Sequence, residues 1–340
     1  MKKSLVALAV LAASGASFAQ SIVTLYGLAD VWLGNVTTET AGVSVSNTKL
    51  ESGGVNGSRW GLKGSEVLGG GLTANFLLEQ GFSLDTGAGT AGQAFSRQSY
   101  VGFSGGFGEV KLGKVWTAYD DISGASDAMF DSGALAPMNI VFKSTGYQGN
   151  PGNTVYYATP AMGGFAAAAS VTTGENVPGA AQITSFNVTY GTGPLGVQFG
   201  YQVEDIKNNL PTIPQDQKFM RLGATYDLGM AVAKLTYGKV DNLGNQTNAS
   251  TTEWQIGADF PVSSLLTVSA SYAKSDDSGT AATATAGANQ ARKGFGMAAA
   301  YTLSKRTFLY AGYTNNSFSQ TAPVSDTKVS AYAAGVQHKF

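Results

Sequence analysis

The sequence predicts an all-β fold: a transmembrane antiparallel β-barrel of about sixteen strands, closed on itself. Three observations predict it. Short segments alternate apolar and polar residues with a period of two along most of the chain. The connections between them are by turns tight and long. Charged residues make up only 13% and aromatics 11%, yet no apolar run beyond the N-terminus is long enough for a membrane helix. Strands with one face on lipid and one on water need this composition.

The N-terminus stands apart from the fold. Lys2 and Lys3 precede a mostly apolar stretch, and Ser17-Phe18-Ala19 places small residues at a cleavage site. Residues 1–19 read as a secretory signal peptide, too short to span a bilayer, with 20–340 as one barrel domain. Removing Lys2 and Lys3 from 21 basic residues leaves 19 against 22 acidic ones, so the formal charge moves from −1 to −3. That balance argues against nucleic acid as a partner. With no cysteine, disulfides and a lipid-anchored thiol are both excluded.

The elements follow in order. Residues 23–33 form the first strand, and 37–56 read as a long connection. In 58–64 (SRWGLKG), Arg59 and Lys63 share one face and Trp60 and Leu62 the other. A lipid-facing Arg or Lys at mid-membrane would cost roughly 2–4 kcal/mol, so Arg59 and Lys63 are expected in the bore. Residues 69–71 make a tight turn and 85–94 a long one. Arg97 is expected to point inward too. Val101 and Phe103 share its parity, which leaves a bulge between them open.

Residues 116–153 show no sustained periodicity and hold Asp120, Asp121, Asp127 and Asp131. A loop this long in a compact domain is usually functional or disordered. Folded into the bore it would control passage; its composition also permits disorder. Beyond it, alternation marks strands at 185–190, 195–205, 254–260, 266–272 and 295–303. In the second of these, Val197, Phe199, Tyr201 and Val203 share a face. Arg221 alternates with Met220 and Leu222 and reads as lumenal. Tight turns at 161–163, 191–194, 227–229, 261–264 and 304–306 oppose long loops, the asymmetry of outer-membrane barrels. Residues 281–288 are a low-complexity surface loop. The last strand places Tyr332, Ala334, Val336 and Phe340 on one face and should close against the first.

Motifs for other chemistry are weak. Residues 108–114 fit a phosphate-loop spacing, but Val115 stands where Ser or Thr is needed and no helix follows. The single histidine, His338, lies in the terminal strand, away from any nucleophile in the bore. No His/Cys cluster suits a transition metal, and the loop aspartates lack a defined calcium spacing. No cofactor and no enzymatic activity are expected.

Seven stretches carry a resemblance: VTLYG (23–27), SRWGLKG (58–64), GGGLTANFLLEQGF (69–82), FSRQSYVGFSGGFGEVKLGK (95–114), NTVYYATPAMGGF (153–165), LSKRTFLYAGY (303–313) and GVQHKF (335–340). In order and spacing the chain closely resembles the general porins of Gram-negative proteobacteria. The resemblance implies a trimer of sixteen-stranded barrels in the outer membrane, with the third long loop as an inward constriction. It implies a basic ladder that includes Arg59 and Arg97. Lys143 stands for a third basic residue, although the sequence there departs from the family pattern. Lys114 sits where relatives often carry Arg. Expected partners are outer-membrane lipid, lipopolysaccharide, small hydrophilic solutes, and an assembly machinery reading the terminal strand through Tyr332, Val336 and Phe340.

The expected mechanism is sieving in a transverse field. Arg59, Lys63, Arg97, Lys114, Lys143 and Arg221 form a basic wall opposite the four loop aspartates, leaning to anion preference. The alternative for each charge is a structural pairing that holds the loop. Rival functions are a porin selective for small organic anions or phosphate, a non-conducting surface or adhesion barrel, and a soluble all-β protein whose strand faces meet in a core.

Overall fold

The structure, a computed structural model, describes residues 22–175, 180–206, 215–279, 291–320 and 325–340. The predicted leader (1–19) and low-complexity loop (281–288) lie outside them. The strands are β1 (Ile22–Thr40), β2 (Val43–Ser52), β3 (Arg59–Gly69), β4 (Leu72–Gly81), β5 (Gln98–Gly105), β6 (Gly108–Lys114), β7 (Thr154–Ala158), β8 (Phe165–Thr172) and β9 (Gln182–Thr192). They continue as β10 (Leu195–Asp205), β11 (Gln217–Asp227), β12 (Val232–Asp241), β13 (Ser250–Pro261), β14 (Leu266–Ser278), β15 (Ala291–Thr302), β16 (Thr307–Ser319) and β17 (Thr327–Lys339).

Neighbours pair antiparallel, and β1 pairs with β17 from Leu28 opposite Lys339 to Thr40 opposite Thr327. Beyond it, Gly27 and Phe340 exchange backbone hydrogen bonds of 3.1 and 3.0 Å. The sheet is therefore closed, and no backbone edge is left in hydrocarbon. Both β2 and β3 lie against β1, β2 beside Val31–Thr40 and β3 beside Ile22–Leu28. Residues 53–58 leave the sheet between them. Seventeen strands thus fill sixteen positions.

The expected long connection at 37–56 is instead a hairpin. Ala41 (φ 52°) and Gly42 (φ 79°) make a two-residue turn in the left-handed region, as tight hairpins require. Asn35, Thr37, Ser46 and Thr48 are hydrogen-bonded across it. Polar residues dominate there, and Val43 and Val45 on one face with Leu50 on the other give too short an alternation to mark a strand. The tight turns fall where expected, as at 70–71 and 193–194.

Outward residues such as Leu25, Phe103, Val155, Ile256 and Met297 are exposed apolar groups, the face a barrel presents to lipid. No helix among the described residues is long and apolar enough to cross a membrane, a fact that bears on helices alone. The apolar core lies inside the barrel, off axis, between the wall and the long loop. Trp32, Tyr310, Ala298 and Ala333 of the wall meet Met129, Leu135 and Ala136 of the loop. Met138, Val141 and Phe142 pack on Ala273, and Tyr119 packs on Phe219 and Val240. Tyr310 fits only because its neighbours are glycines. A Cβ on Gly335 would fall 2.3 Å from its ring, and one on Gly54 2.1 Å from its hydroxyl.

Candidate functional site

The long loop runs from Val115 to Asn153, between β6 and β7, and turns into the bore. It forms short 3-10 turns at Asp120–Ile122 and Met129–Asp131 and one helical turn, α1 (Pro137–Val141). Inward side chains from many strands hold it. Asn187 donates to Ala118 O (2.6 Å), Gln198 to Ile122 O (2.9 Å), and Ser126 and Thr236 share a hydrogen bond (2.8 Å). Ser269 accepts from Met129 N (2.7 Å), and Arg292 donates to Val141 O (2.9 Å). Glu253, fully buried, accepts from the backbone N–H groups of Lys143 and Ser144. The loop therefore covers the wall from β7 round to β17 and β1, and leaves the arc from β3 to β6 facing open bore. Met129, Phe130 and Asp131 all have φ between 54° and 66°. A left-handed turn of ordinary residues costs roughly 1–2 kcal/mol each and persists because these contacts enforce it.

Two expected pore charges are not on the pore surface. Arg221 points inward as its parity requires, but it is 1% exposed beneath the loop. Its guanidinium donates to Ser123 O (3.1 Å) and Ser144 O (3.0 Å) and lies 5.5 Å from the Tyr119 ring. It pins the loop and does not line the eyelet. Asp127 is also fully buried. It accepts from Asn139 (3.2 Å), and its Oδ1 has no partner among the described residues. Burial, then the nearby Asp131, drives its carboxyl well above the usual range.

The other loop acids reach the bore with partners. Asp120 accepts from Tyr147 (2.6 Å), Asp121 from Tyr156 (2.7 Å) and Asn187 (3.1 Å), and Asp131 from Asn139 (3.1 Å). Burial pushes the Asp120 carboxyl up to about 6, and raises Asp121 and Asp131 as well. Among the described residues, no ion pair links any loop aspartate to Arg59, Lys63, Arg97 or Lys114.

The facing arc carries the basic groups and one acid that sequence reasoning missed. Glu79 of β4 is 4% exposed and sits between two arginines. Arg97 Nε donates to its Oε1 (2.8 Å), Arg59 lies 3.6 Å from its Oε2, and Tyr26 donates to Oε2 (2.8 Å). The signal was present: Glu79 pairs with Gly61, which shares a face with Arg59 and Lys63. Arg97 N bonds Glu79 O while Gln98 is the register partner of Glu79, so two residues oppose one and Arg97 turns inward. Its guanidinium lies 5.1 Å over Trp116.

Lys63 is exposed, with its ammonium 5.0 Å over Tyr26. Lys114 shares the outward parity of Leu112, but at the end of β6 it turns in to donate to Asn150 O (2.6 Å). Arg97 and Lys114 share a cavity of 510 Å³ with Ser58, Ser83, Ser96 and Asn150. Lys143 is half-buried with no partner for its ammonium among the described residues, and burial, then the nearby Arg292, lowers its pKa. Lys111, also missed, lies over Tyr156 (4.9 Å) and pairs with Glu109 (2.8 Å). Tyr332, Val336 and Phe340 lie on or beside the seam with β1, with Tyr332 and Phe340 exposed.

Comparison with known proteins gives a consistent result. A family model described as Gram-negative porin matches residues 4–321. Outer membrane porin protein 32 of Delftia acidovorans is 34% identical over 99% of this chain and 95% of its own length. An outer membrane porin of Bordetella pertussis is 28% identical over the full length of both. Among solved structures, an anion-selective porin from Comamonas acidovorans superposes with a TM-score of 0.77 at 25% identity, over 94% of this chain and 100% of that one.

Proposed function

The chain belongs to the Gram-negative porin family, and from that membership we propose how its bore sorts solutes. It is an outer-membrane porin, a passive channel for small hydrophilic solutes. The eyelet prefers anions. The carrying observation is the imbalance across it: Arg59, Arg97, Lys63 and Lys114 face the bore with Glu79 as the acid among them, while of the loop acids Asp127 is fully buried and Asp120, Asp121 and Asp131 are each held by hydrogen bonds. The anion-selective character named for the Comamonas protein fits this reading. Residues 1–19 direct export. The working unit is a homotrimer, its lipid partners include lipopolysaccharide, and the terminal strand with Tyr332, Val336 and Phe340 is read during barrel assembly.

The test is the zero-current potential of the purified protein in a planar bilayer under a salt gradient. Anion-sign reversal is expected. Arg97→Ala lowers the anion-to-cation permeability ratio about sevenfold, because one charge about 7 Å from the ion at a water-like dielectric changes the anion and the cation by about threefold each in opposite directions. Cation-sign reversal transfers control to the loop aspartates. Absence of conductance from folded, inserted protein would favour a non-conducting surface barrel. The cavity at Arg97 and Lys114 favours a second reading, selectivity for small organic anions or phosphate, which predicts saturable conductance.

A further inference from the structure

We infer that a lipid-facing arc of lysines, headed by Lys274 and Lys293, binds the phosphate groups of an outer-leaflet glycolipid. The inference rests on the outer-membrane reading above and adds a located site to it. Lys218, Lys239, Lys274 and Lys293 lie on β11, β12, β14 and β15, and register puts all four on the outward face. Lys239 shares that face with Tyr237, Lys274 with Tyr272, and Lys293 with Phe295. Tyr237, Phe295 and Trp254 (opposite Lys274) are exposed aromatics of the outer wall.

Each of Lys239, Lys274 and Lys293 stands two residues beyond its aromatic, about 7 Å along the strand, toward the long-loop end. Aromatic girdles mark the membrane interface, so these ammonium groups stand at headgroup level. Lys274 and Lys293 are direct register partners. Like charges directly opposite, with Cβ atoms about 5 Å apart, destabilise a sheet unless something neutralises them. Lys293 is exposed and has no hydrogen bond or ion pair among the described residues. Lys274 pairs with Asp276 (2.7 Å) and Lys239 with Asp241 (2.8 Å), but both carboxylates lie two residues further from the membrane. Lys239, Lys274 and Lys293 are therefore nearer to lipid than these carboxylates, while Lys218 lies level with its register partner Asp241.

The arc is one-sided. At comparable positions β5, β7 and β8 present Ser99, Val155 and Val171, and Lys114 of β6 has turned into the bore. A phosphate carries up to two negative charges and three acceptor oxygens, enough to bridge two opposed ammonium groups. Below the pair, Tyr272 and Ile256 offer an apolar strip for acyl chains. Free phosphate could answer the charge but would leave that strip unused.

The experiment is native mass spectrometry of the full-length protein in mild detergent, titrated with intact and with dephosphorylated glycolipid. Intact lipid is expected to bind the wild type about 30-fold more tightly than the Lys274→Gln/Lys293→Gln variant, roughly fivefold per lysine. The dephosphorylated lipid should bind both proteins at the variant's level. Single-channel conductance of the variant should match the wild type, which shows it folded. Equal affinity of the two proteins for intact lipid overturns the proposal. So does dephosphorylated lipid binding the wild type as well as intact lipid, or full displacement by millimolar inorganic phosphate. Loss of conductance in the wild type would sink the channel reading alone, since the lipid titration decides this site separately.

Discussion

Arg97 and Arg221 both turn a guanidinium toward the interior, and burial divides their roles. Arg97 meets Glu79 and Trp116 at the edge of the bore, where its proposed role is to act on passing ions. Arg221 lies under the loop and spends its donors on backbone carbonyls. Parity along a strand told that Arg221 faces inward, but could not tell that the long loop would lie over it at Ser123 and Ser144, because contacts of that range leave no local pattern. The aspartates divide in the same way. Burial raises Asp120 to about 6, so the folded protein holds that proton more tightly than the unfolded chain. Its contribution therefore favours loop docking at low pH and is lost as pH rises from about 4 through 6. Across the same window the bore gains a negative charge. Anion preference should thus grow as pH falls from 7 to 5, and Asp120→Asn should flatten the change near 6. A zero-current potential with the same pH slope in both proteins would refute that assignment. Asp121 and Asp131 shift in the same direction and supply the remaining slope.

The broken second strand is the element that holds the loop tip. Residues 53–58 leave the sheet and present Gly54 and Val55 to the loop, where Ser132 bonds Gly54 O (2.5 Å), Ala134 N bonds it too (3.1 Å), and Gly133 N reaches Val55 O (3.4 Å). The break is itself clamped by Asp30 of β1. This buried carboxylate accepts from the N–H groups of Gly54, Val55 and Asn56, from Tyr310 (2.6 Å) and from Gln337 (3.0 Å). Asp30→Asn replaces one acceptor with a donor facing donors. It should cost about 3 kcal/mol, the scale of a lost charge-assisted hydrogen bond plus an unpaired polar group. The expected signs are a lower thermal unfolding midpoint and noisier single-channel current; a quiet, equally stable channel would show that the clamp is dispensable. Strands such as 195–205 and 266–272 were legible because lipid on one side and water on the other impose strict alternation. The hairpin of β1 and β2 was not, because polar residues dominate it and its few apolar ones do not alternate over the length of a strand. Asp30 was equally hidden: in sequence it is one polar residue on an inward face, and its donors come from chain segments up to 307 residues away.

At the scale of the whole molecule, the arrangement of solvents is inverted. Lipid surrounds the apolar outside, water fills one side of the inside, and a compact core occupies the other side. Outward and inward substitutions should therefore have opposite penalties. Ile256→Lys places a charge on the lipid face and should cost roughly 2–4 kcal/mol in a liposome unfolding titration if it sits near mid-membrane. A cost near zero would place Ile256 at the interface instead. The seam adds a consequence of another kind. Gly27 and Phe340 are paired, so the two termini of the sheet stand side by side. A closed ring has no first strand except by the accident of where synthesis began. A short linker from Phe340 to the start of β1, with new ends cut at the tight turn near 193–194, should give a circular permutant with the same barrel and the same conductance.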